Sequence, residues 1–281
     1  MLDTSIEQLI DLGLSEDIGA GDHSSLACID PETVNQGEIF AKEDGVIYGT
    51  SVALRVFEKV DPKLQVTVEQ PDGSSVKKGD VVLRLKGNPQ SILTGERLAL
   101  NFLQRLSGIA TTTNRLVQLC NGKTTLLDTR KTTPGFRILE KAAVKAGGGG
   151  NHRMGLHDMI MLKDNHLDYA GGIAQAIDRC HAYIRANQLE LKIEVEVRDF
   201  AELDEVLQKG GIDRIMLDNF SPDDISKALT IIGGKYETEA SGGITEATLP
   251  AYAATGVDFI SIGALTHSVK SLDLSLLVHA E

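Results

Sequence analysis

The chain has 281 residues, 42% of them apolar, enough to bury the cores of two ordinary domains. It carries 28 Lys and Arg against 40 Asp and Glu, a net charge of −12, and no Trp, which excludes a nucleic-acid binder built on a basic aromatic surface. No apolar run reaches the roughly 18 residues of a membrane span, and the first residues lack the basic and apolar regions of a secretory signal. Three scattered cysteines, Cys28, Cys120 and Cys180, match no metal spacing, so the expectation is reduced thiols in the cytoplasm.

In chain order, residues 4–13 read as a short amphipathic helix with Ile6, Leu9, Ile10 and Leu12 apolar, and residues 16–24 as a loop. That loop is acidic but lacks the alternating ligands and closing Glu of a calcium-binding hand. Strand patterns follow at 36–41, 45–48, 64–69 and 81–86, with a helix at 50–59 and turns at Pro71-Asp72-Gly73 and Lys78-Gly79-Asp80. Residues 73–87 have the look of half a biotinyl or lipoyl carrier, but no modifiable Lys sits at a hairpin tip in the required flanks, so the stretch reads as scaffold. Residues 94–119 are helical, with Leu98, Phe102, Leu106 and Ile109 apolar.

From residue 123 onward, strands (124–128, 159–162, 192–198, 214–217, 236–240, 258–262) alternate with helices (134–146, 171–187, 200–209, 222–231, 245–255). Such alternation means a parallel sheet. Six strands are too few for a full eight-stranded barrel of about 250 residues, so an incomplete barrel is expected. Thr133-Pro134 and Ser221-Pro222 read as helix starts, whereas Pro250 falls about five residues inside its helix and should cost a backbone hydrogen bond.

Charge is distributed unevenly. Between Lys123 and Lys163 stand eight basic residues and only Asp128, Glu140 and Asp158 as acids. Arg137, Lys141 and Lys145, at i, i+4 and i+8, are as well explained by a solvated helix face. Arg130, Lys131, Arg153 and Lys163 are not, because they fall where strands end and helices begin, where free amide N–H groups favour anions. Four glycines, 147–150, lead into Asn151-His152-Arg153 and permit close approach of backbone to a ligand. The strands end on Arg130, Lys163, Glu196, Asp218, Ser241-Gly242-Gly243 and Gly263, and in parallel β/α folds the carboxyl ends of strands carry the site. In residues 192–198 the odd positions are apolar and the even ones charged, so Glu194 and Glu196 point inward. Glu196, nearer the carboxyl end, is the site candidate, and Glu194 is expected to pair with a Lys or Arg.

The strings Asp-Thr-Arg-Lys-Thr-Thr-Pro-Gly (128–135), Gly-Gly-Gly-x-Asn-His-Arg-x-Gly-Leu (147–156) and Lys-Asp-Asn-His (163–166) resemble the signature of the quinolinate phosphoribosyltransferases. Glu-Asp-x-Gly-x-Gly-Asp at 16–22 and Gly-Glu-Arg-Leu-Ala-Leu-Asn at 95–101 resemble further segments of that family. The resemblance implies an N-terminal α/β sandwich domain (1–113, with the tail 268–281 packing back on it) followed by an incomplete, about six-stranded parallel β/α barrel (114–267). It implies decarboxylating transfer of phosphoribosyl from phosphoribosyl pyrophosphate to quinolinate, with Mg²⁺ accompanying the diphosphate. By motif it places Arg130, His152, Arg153 and Lys163 on the quinolinate carboxylates, with Arg97 supplied by a partner subunit; without it, Arg97 is simply an exposed helical Arg. Lys131 and Lys163 face the diphosphate, and Glu196 and Asp218 the ribose hydroxyls and Mg²⁺; these four are the implied catalytic residues. Ser241, Gly242, Gly243, Gly263, Ala264 and His267 cradle the 5-phosphate, and Thr129 and Ile262 complete the substrate-binding set. Gly150 departs from the variable position of the motif and is expected only to loosen that loop. A homodimer with composite sites, or a hexamer, follows. Competing readings are the related protein of molybdenum transport, a nicotinate phosphoribosyltransferase and a dicarboxylate sensor without catalysis.

Overall fold

The computed structural model describes residues 2–279. Two compact units result: one from the chain up to Asn114, Thr132–Gly148 and the chain from Leu265, the other from Arg115–Lys131 and Gly149–Ala264.

The first unit opens with α1 (Leu2–Ile18) and α2 (His23–Cys28), then β1 (Asn35–Ala41), β2 (Gly45–Val46), α3 (Thr50–Val60), β3 (Gln65–Val68), β4 (Ser75–Val76), β5 (Val81–Gly87) and α4 (Pro89–Leu119). Helix α1 is longer than the 4–13 expected, and the supposed loop at 16–24 shrinks to the few residues around Gly19 and Gly21, both at positive φ. Asp22 caps α2, accepting from the Ser25 amide at 3.1 Å. Leu12 does not join the buried stripe; it is 66% exposed, whereas Ile10 is buried. Strands β2 and β4 form a small antiparallel pair, and the short β4 left no sequence signal. The core joins Ile39 of β1, Leu83 and Leu85 of β5, Phe57 of α3 and Leu103 and Leu106 of α4, all essentially inaccessible to water.

In the second part of the chain come β6 (Thr125–Leu127), α5 (Arg137–Ala146), β7 (Ile160–Leu162), α6 (Asp164–Ala170), α7 (Ile173–Asn187), β8 (Ile193–Val197), α8 (Phe200–Lys209), β9 (Arg214–Asp218), α9 (Pro222–Ile232), β10 (Glu237–Ser241), α10 (Leu249–Ala254), β11 (Phe259–Ser261), α11 (Ala264–His267) and β12 (Leu274–His279). Six strands make one parallel sheet in the order β6-β11-β10-β9-β8-β7, the incomplete barrel of the second unit. The other sheet, in the first unit, runs β12-β1-β5-β3 and is antiparallel.

Three helix boundaries differ from expectation for physical reasons. Helix α5 starts at Arg137, not Pro134. Glu140, wholly buried, accepts from the Thr133 amide (3.0 Å) and hydroxyl (2.9 Å) as well as from Arg105 (2.8 Å), while Gly135 turns at φ +77°. Thr133 therefore serves this buried carboxylate instead of capping a helix at Pro134. Helix α10 starts at Leu249, which puts Pro250 in its first turn, where no N–H bond is lost. The expected helix at 171–187 starts at Ile173, because Gly171 and Gly172, both at positive φ, separate it from α6, a helix not expected from the sequence.

Nor is α5 a solvated basic face. Leu139, Glu140, Lys141, Ala143 and Val144 are buried, so the row from Arg137 to Lys145 runs across the edge of its buried side. Gly147 ends this helix because a Cβ there would stand 2.4 Å from the Ala110 carbonyl oxygen; its constraint is packing, not a ligand. Gly150 is no loosened position either. It forms a parallel bridge to Leu127, its amide donating to Leu126 O at 2.7 Å.

Candidate active site

Register in the parallel sheet decides which side chains face the same way. Glu194 aligns with Met161 and Arg214, Glu196 with Met216, Met216 with Glu239, Asp218 with Ser241 and Glu239 with Phe259. With side chains alternating along each strand, this places Met161, Glu194, Glu196, Arg214, Met216, Asp218, Glu239, Ser241, Phe259 and Ser261 on one face. The opposite face carries Ile193, Val195, Val197, Ile215 and Leu217, all buried. In a typical β/α barrel the inward layers are branched aliphatics. Here the inward face is polar and charged.

A cavity of about 370 Å³ is lined by Thr129, Arg130, Lys131, His152, Arg153, Met161, Lys163, Met216, Ser241 and Ser261. The two strand-to-loop exits after β6 and β7 and the Asn-His-Arg turn thus bring four cations together. Arg130 and Arg153 are close enough to repel: burial first, then the Arg130 charge, lower the Arg153 guanidinium from its ordinary value. One Arg153 N–H is held by the Met159 carbonyl at 3.3 Å. Lys163 Nζ is ion-paired with Glu196, whose side chain is only 11% exposed. Burial raises the Asp218 carboxyl, an effect that the Lys163 charge and the Asn219 side chain oppose.

Seven residues expected in the site therefore line one cavity: Thr129, Arg130, Lys131, His152, Arg153, Lys163 and Ser241. Glu196 and Asp218 lie on the same inward face without contributing lining. Gly242 and Gly243 follow β10 at φ +96° and +60°. A Cβ on Gly242 would fall 2.2 Å from Asn219 Oδ1, so this turn is pressed against the end of β9. Ile262, Gly263 and Ala264 follow β11, with Ile262 N–H donating to Leu127 O at 3.0 Å. Arg97 and His267 belong to the first unit and are exposed, His267 Nδ1 lying 2.7 Å from Ser268 Oγ. Met161, Met216 and Ser261 were not anticipated. Each stands two residues before a residue already singled out (Lys163, Asp218, Gly263), and period-two alternation would have found them.

The expectation that Glu194 pairs with a Lys or Arg is corrected. Its carboxylate lies 3.0 Å from His152 Nε2, and Glu239 lies 3.5 Å from the same nitrogen. It is Glu239 that takes the arginine, Arg214 Nη1 at 3.0 Å, while Arg214 also pairs with Glu237 and lies 4.0 Å over the Phe259 ring. Burial raises both carboxyls to about 7, with Arg214 opposing the rise at Glu194 and the Glu194 charge adding to it at Glu239. Folded protein therefore binds protons here that the unfolded chain has released, so this pair stabilises below about pH 4.5 and loses that contribution as pH rises through about 7. Glu194→Gln should flatten the decline of melting temperature between about pH 5 and 8, each proton being worth up to about 1.4 kcal/mol per pH unit. An unchanged slope in thermal unfolding would refute the assignment.

Two family models match the chain: the quinolinate phosphoribosyl transferase N-terminal domain over residues 22–107 and the C-terminal domain over residues 109–277. The chain belongs to the quinolinate phosphoribosyltransferase family. It is 44% identical to the decarboxylating quinolinate phosphoribosyltransferase 1b of Nicotiana tabacum, over 98% of this chain and 83% of the relative. It is 43% identical to the probable carboxylating nicotinate-nucleotide pyrophosphorylase of Bacillus subtilis, over 96% and 92%. Among solved structures, the nicotinate-nucleotide pyrophosphorylase of Francisella tularensis superimposes with a TM-score of 0.94 at 42% identity, covering 99% of this chain and 97% of that one.

Proposed function

We propose that this chain transfers phosphoribosyl from phosphoribosyl pyrophosphate to the ring nitrogen of quinolinate, releasing pyrophosphate and CO₂ and forming nicotinate mononucleotide for de novo NAD synthesis. The observation that carries this reading is the convergence of Arg130, Lys131, Arg153 and Lys163 on one cavity at the carboxyl ends of parallel strands. Arg130 and Arg153 bind the two quinolinate carboxylates, joined by Arg97 from the partner of a homodimer. Lys131 and Lys163 meet the diphosphate, and Ser241 with the Gly242-Gly243 turn receives the 5-phosphate.

Chemically, ribose C1 parts from pyrophosphate through an oxocarbenium-like state. The protein holds the nitrogen in line and stabilises the departing charge with Lys131 and Lys163. Glu196 and Asp218 bind ribose hydroxyls on the inward face. Two hard carboxylates, one of them shared with Lys163, form a sparse donor set; this fits Mg²⁺, which keeps most of its waters and takes substrate phosphates as ligands. Held by Glu196 and Asp218, Mg²⁺ would neutralise diphosphate charge. Loss of CO₂ needs no protein base, because the quaternised ring nitrogen stabilises the electron pair left on the neighbouring carbon, which then takes a proton from water. The three cysteines are free thiols, which supports a reducing compartment such as the cytoplasm. Among the described residues no helix is long and apolar enough to cross a membrane.

The test is release of labelled CO₂ from quinolinate labelled in the carboxylate next to the ring nitrogen, with phosphoribosyl pyrophosphate and Mg²⁺. Quinolinate should turn over and nicotinate, with a single carboxylate for this cation set, should not. Equal use of both pyridines would overturn the reading.

A further inference from the structure

We propose that Glu194 and Glu239 are positioning residues. They hold the His152 ring as the neutral imidazole with its hydrogen on Nε2, and through Nδ1 that ring fixes the backbone amide of Arg153, and so the guanidinium turned to the substrate. The argument starts from what a main-chain N–H can do, which is only donate. The Arg153 N–H donates to His152 Nδ1 at 2.7 Å, so that nitrogen presents its lone pair. The ring's one hydrogen then sits on Nε2, 3.0 Å from Glu194 and 3.5 Å from Glu239. Nδ1 is hydrogen-bonded within the protein, and Nε2 lies within ion-pair distance of two buried carboxyls. His152 is thus part of the frame of the cavity, and the role of cationic donor to a quinolinate carboxylate, implied by the resemblance, passes to its neighbour Arg153.

The turn is held from both sides. Asp128, at the end of β6 and fully buried, accepts the His152 amide at 3.0 Å and the Asn151 side chain. From the sheet, Arg214 clamps Glu239 at 3.0 Å and is itself seated over Phe259. A chain of contacts therefore runs from β11 and β9 through β10 and β8 to the peptide that carries Arg153. A hydrogen bond to one imidazole nitrogen, here Nδ1, together with a carboxyl beside the other, is how proteins select a tautomer and a ring orientation.

The same three side chains could be read as a metal site, since one ligand atom from each lies within 4.8 Å of the others. A metal on Nε2 needs the ring hydrogen on Nδ1, and the Arg153 amide already points its own hydrogen there. Arg214 also supplies the positive charge that two buried carboxylates require. The geometry thus favours hydrogen on Nε2.

The experiment has one arm independent of catalysis and one that rests on the reading above. Nitrogen-15 NMR of histidine-labelled protein, without substrates, should show the His152 ring as Nε2–H with Nδ1 unprotonated from about pH 6 to 8. Its assignment comes from loss of the signal in His152→Asn. For the second arm, Glu194→Leu removes the acceptor, whereas Glu194→Gln keeps an oxygen for Nε2–H and gives Glu239 an amide donor. The leucine variant should raise KM for quinolinate about tenfold or more with KM for phosphoribosyl pyrophosphate within about twofold, and glutamine should restore it to within about threefold of wild type. Should the leucine variant not fold, Glu194→Ala takes its place, and the wild-type spectrum decides the tautomer by itself. A ring that is cationic or carries hydrogen on Nδ1 would overturn the proposal. So would an unchanged quinolinate KM, an equal rise in both constants, failure of glutamine to restore, or one equivalent of metal in wild type that the leucine variant loses. If wild type itself ignores quinolinate, the functional reading fails while the spectrum still tests the tautomer.

Discussion

Arg153→Ala is expected to weaken quinolinate binding by about 2–4 kcal/mol, roughly thirtyfold to a thousandfold, because a desolvated charge-assisted pair is lost. The half-buried guanidinium is already unfavourable beside Arg130, and burial and that like charge both lower its proton affinity. Part of the binding free energy thus comes from relieving this repulsion, and removing Arg153 forfeits that part as well. Asp218→Asn should instead impair the phosphoribosyl side and leave quinolinate affinity nearly intact. Calorimetry with quinolinate alone separates the two. Unchanged affinity in Arg153→Ala would remove this residue from the carboxylate site.

The second large effect concerns Arg97, exposed on α4 in the first unit. If it completes the site of the other subunit in a homodimer, Arg97→Ala and Arg153→Ala should each be nearly inactive alone. In a mixed dimer, one site carries both lesions and the other neither. Equal amounts reassorting at random make about half the dimers mixed, each with one intact site of two, so about a quarter of wild-type activity should return. The measurement is activity after joint denaturation and refolding, with mass spectrometry to count mixed dimers. Mixed dimers without activity would mean that Arg97 does not act across the interface.

What was legible in the sequence was whatever a local rule governs. The even-odd alternation of 192–198 assigned both glutamates to the inward face before any neighbour was known. The cations at strand ends, Arg130, Lys131 and Lys163, were visible because parallel β/α folds put their sites there, and all three line the cavity. What was not legible depends on register between distant strands. Glu194 meets His152 and Glu239 because β8 and β10 each pair with β9, bringing residues over 40 positions apart onto one face. Thr133 looked like a helix cap because the group it serves instead, Glu140, lies seven residues ahead and is held by Arg105 from another helix. Local pattern describes a face; it does not say who shares it.

Pairing of β12 with β1 has a consequence for how the molecule is made. Leu274–His279 align antiparallel with Gln36–Ala41, so this edge of the sheet pairs two segments more than 200 positions apart in the chain. Loop closure over such a separation is slow, and it cannot begin until that late segment has emerged. Until it does, β1 carries an open edge, with Ile39 awaiting Leu276 across the ladder, the kind of edge that recruits other chains. The second unit, largely the continuous stretch Gly149–Ala264, has no such dependence on β12. A cut just before Leu274 would therefore take away the border of a sheet rather than trim a tail.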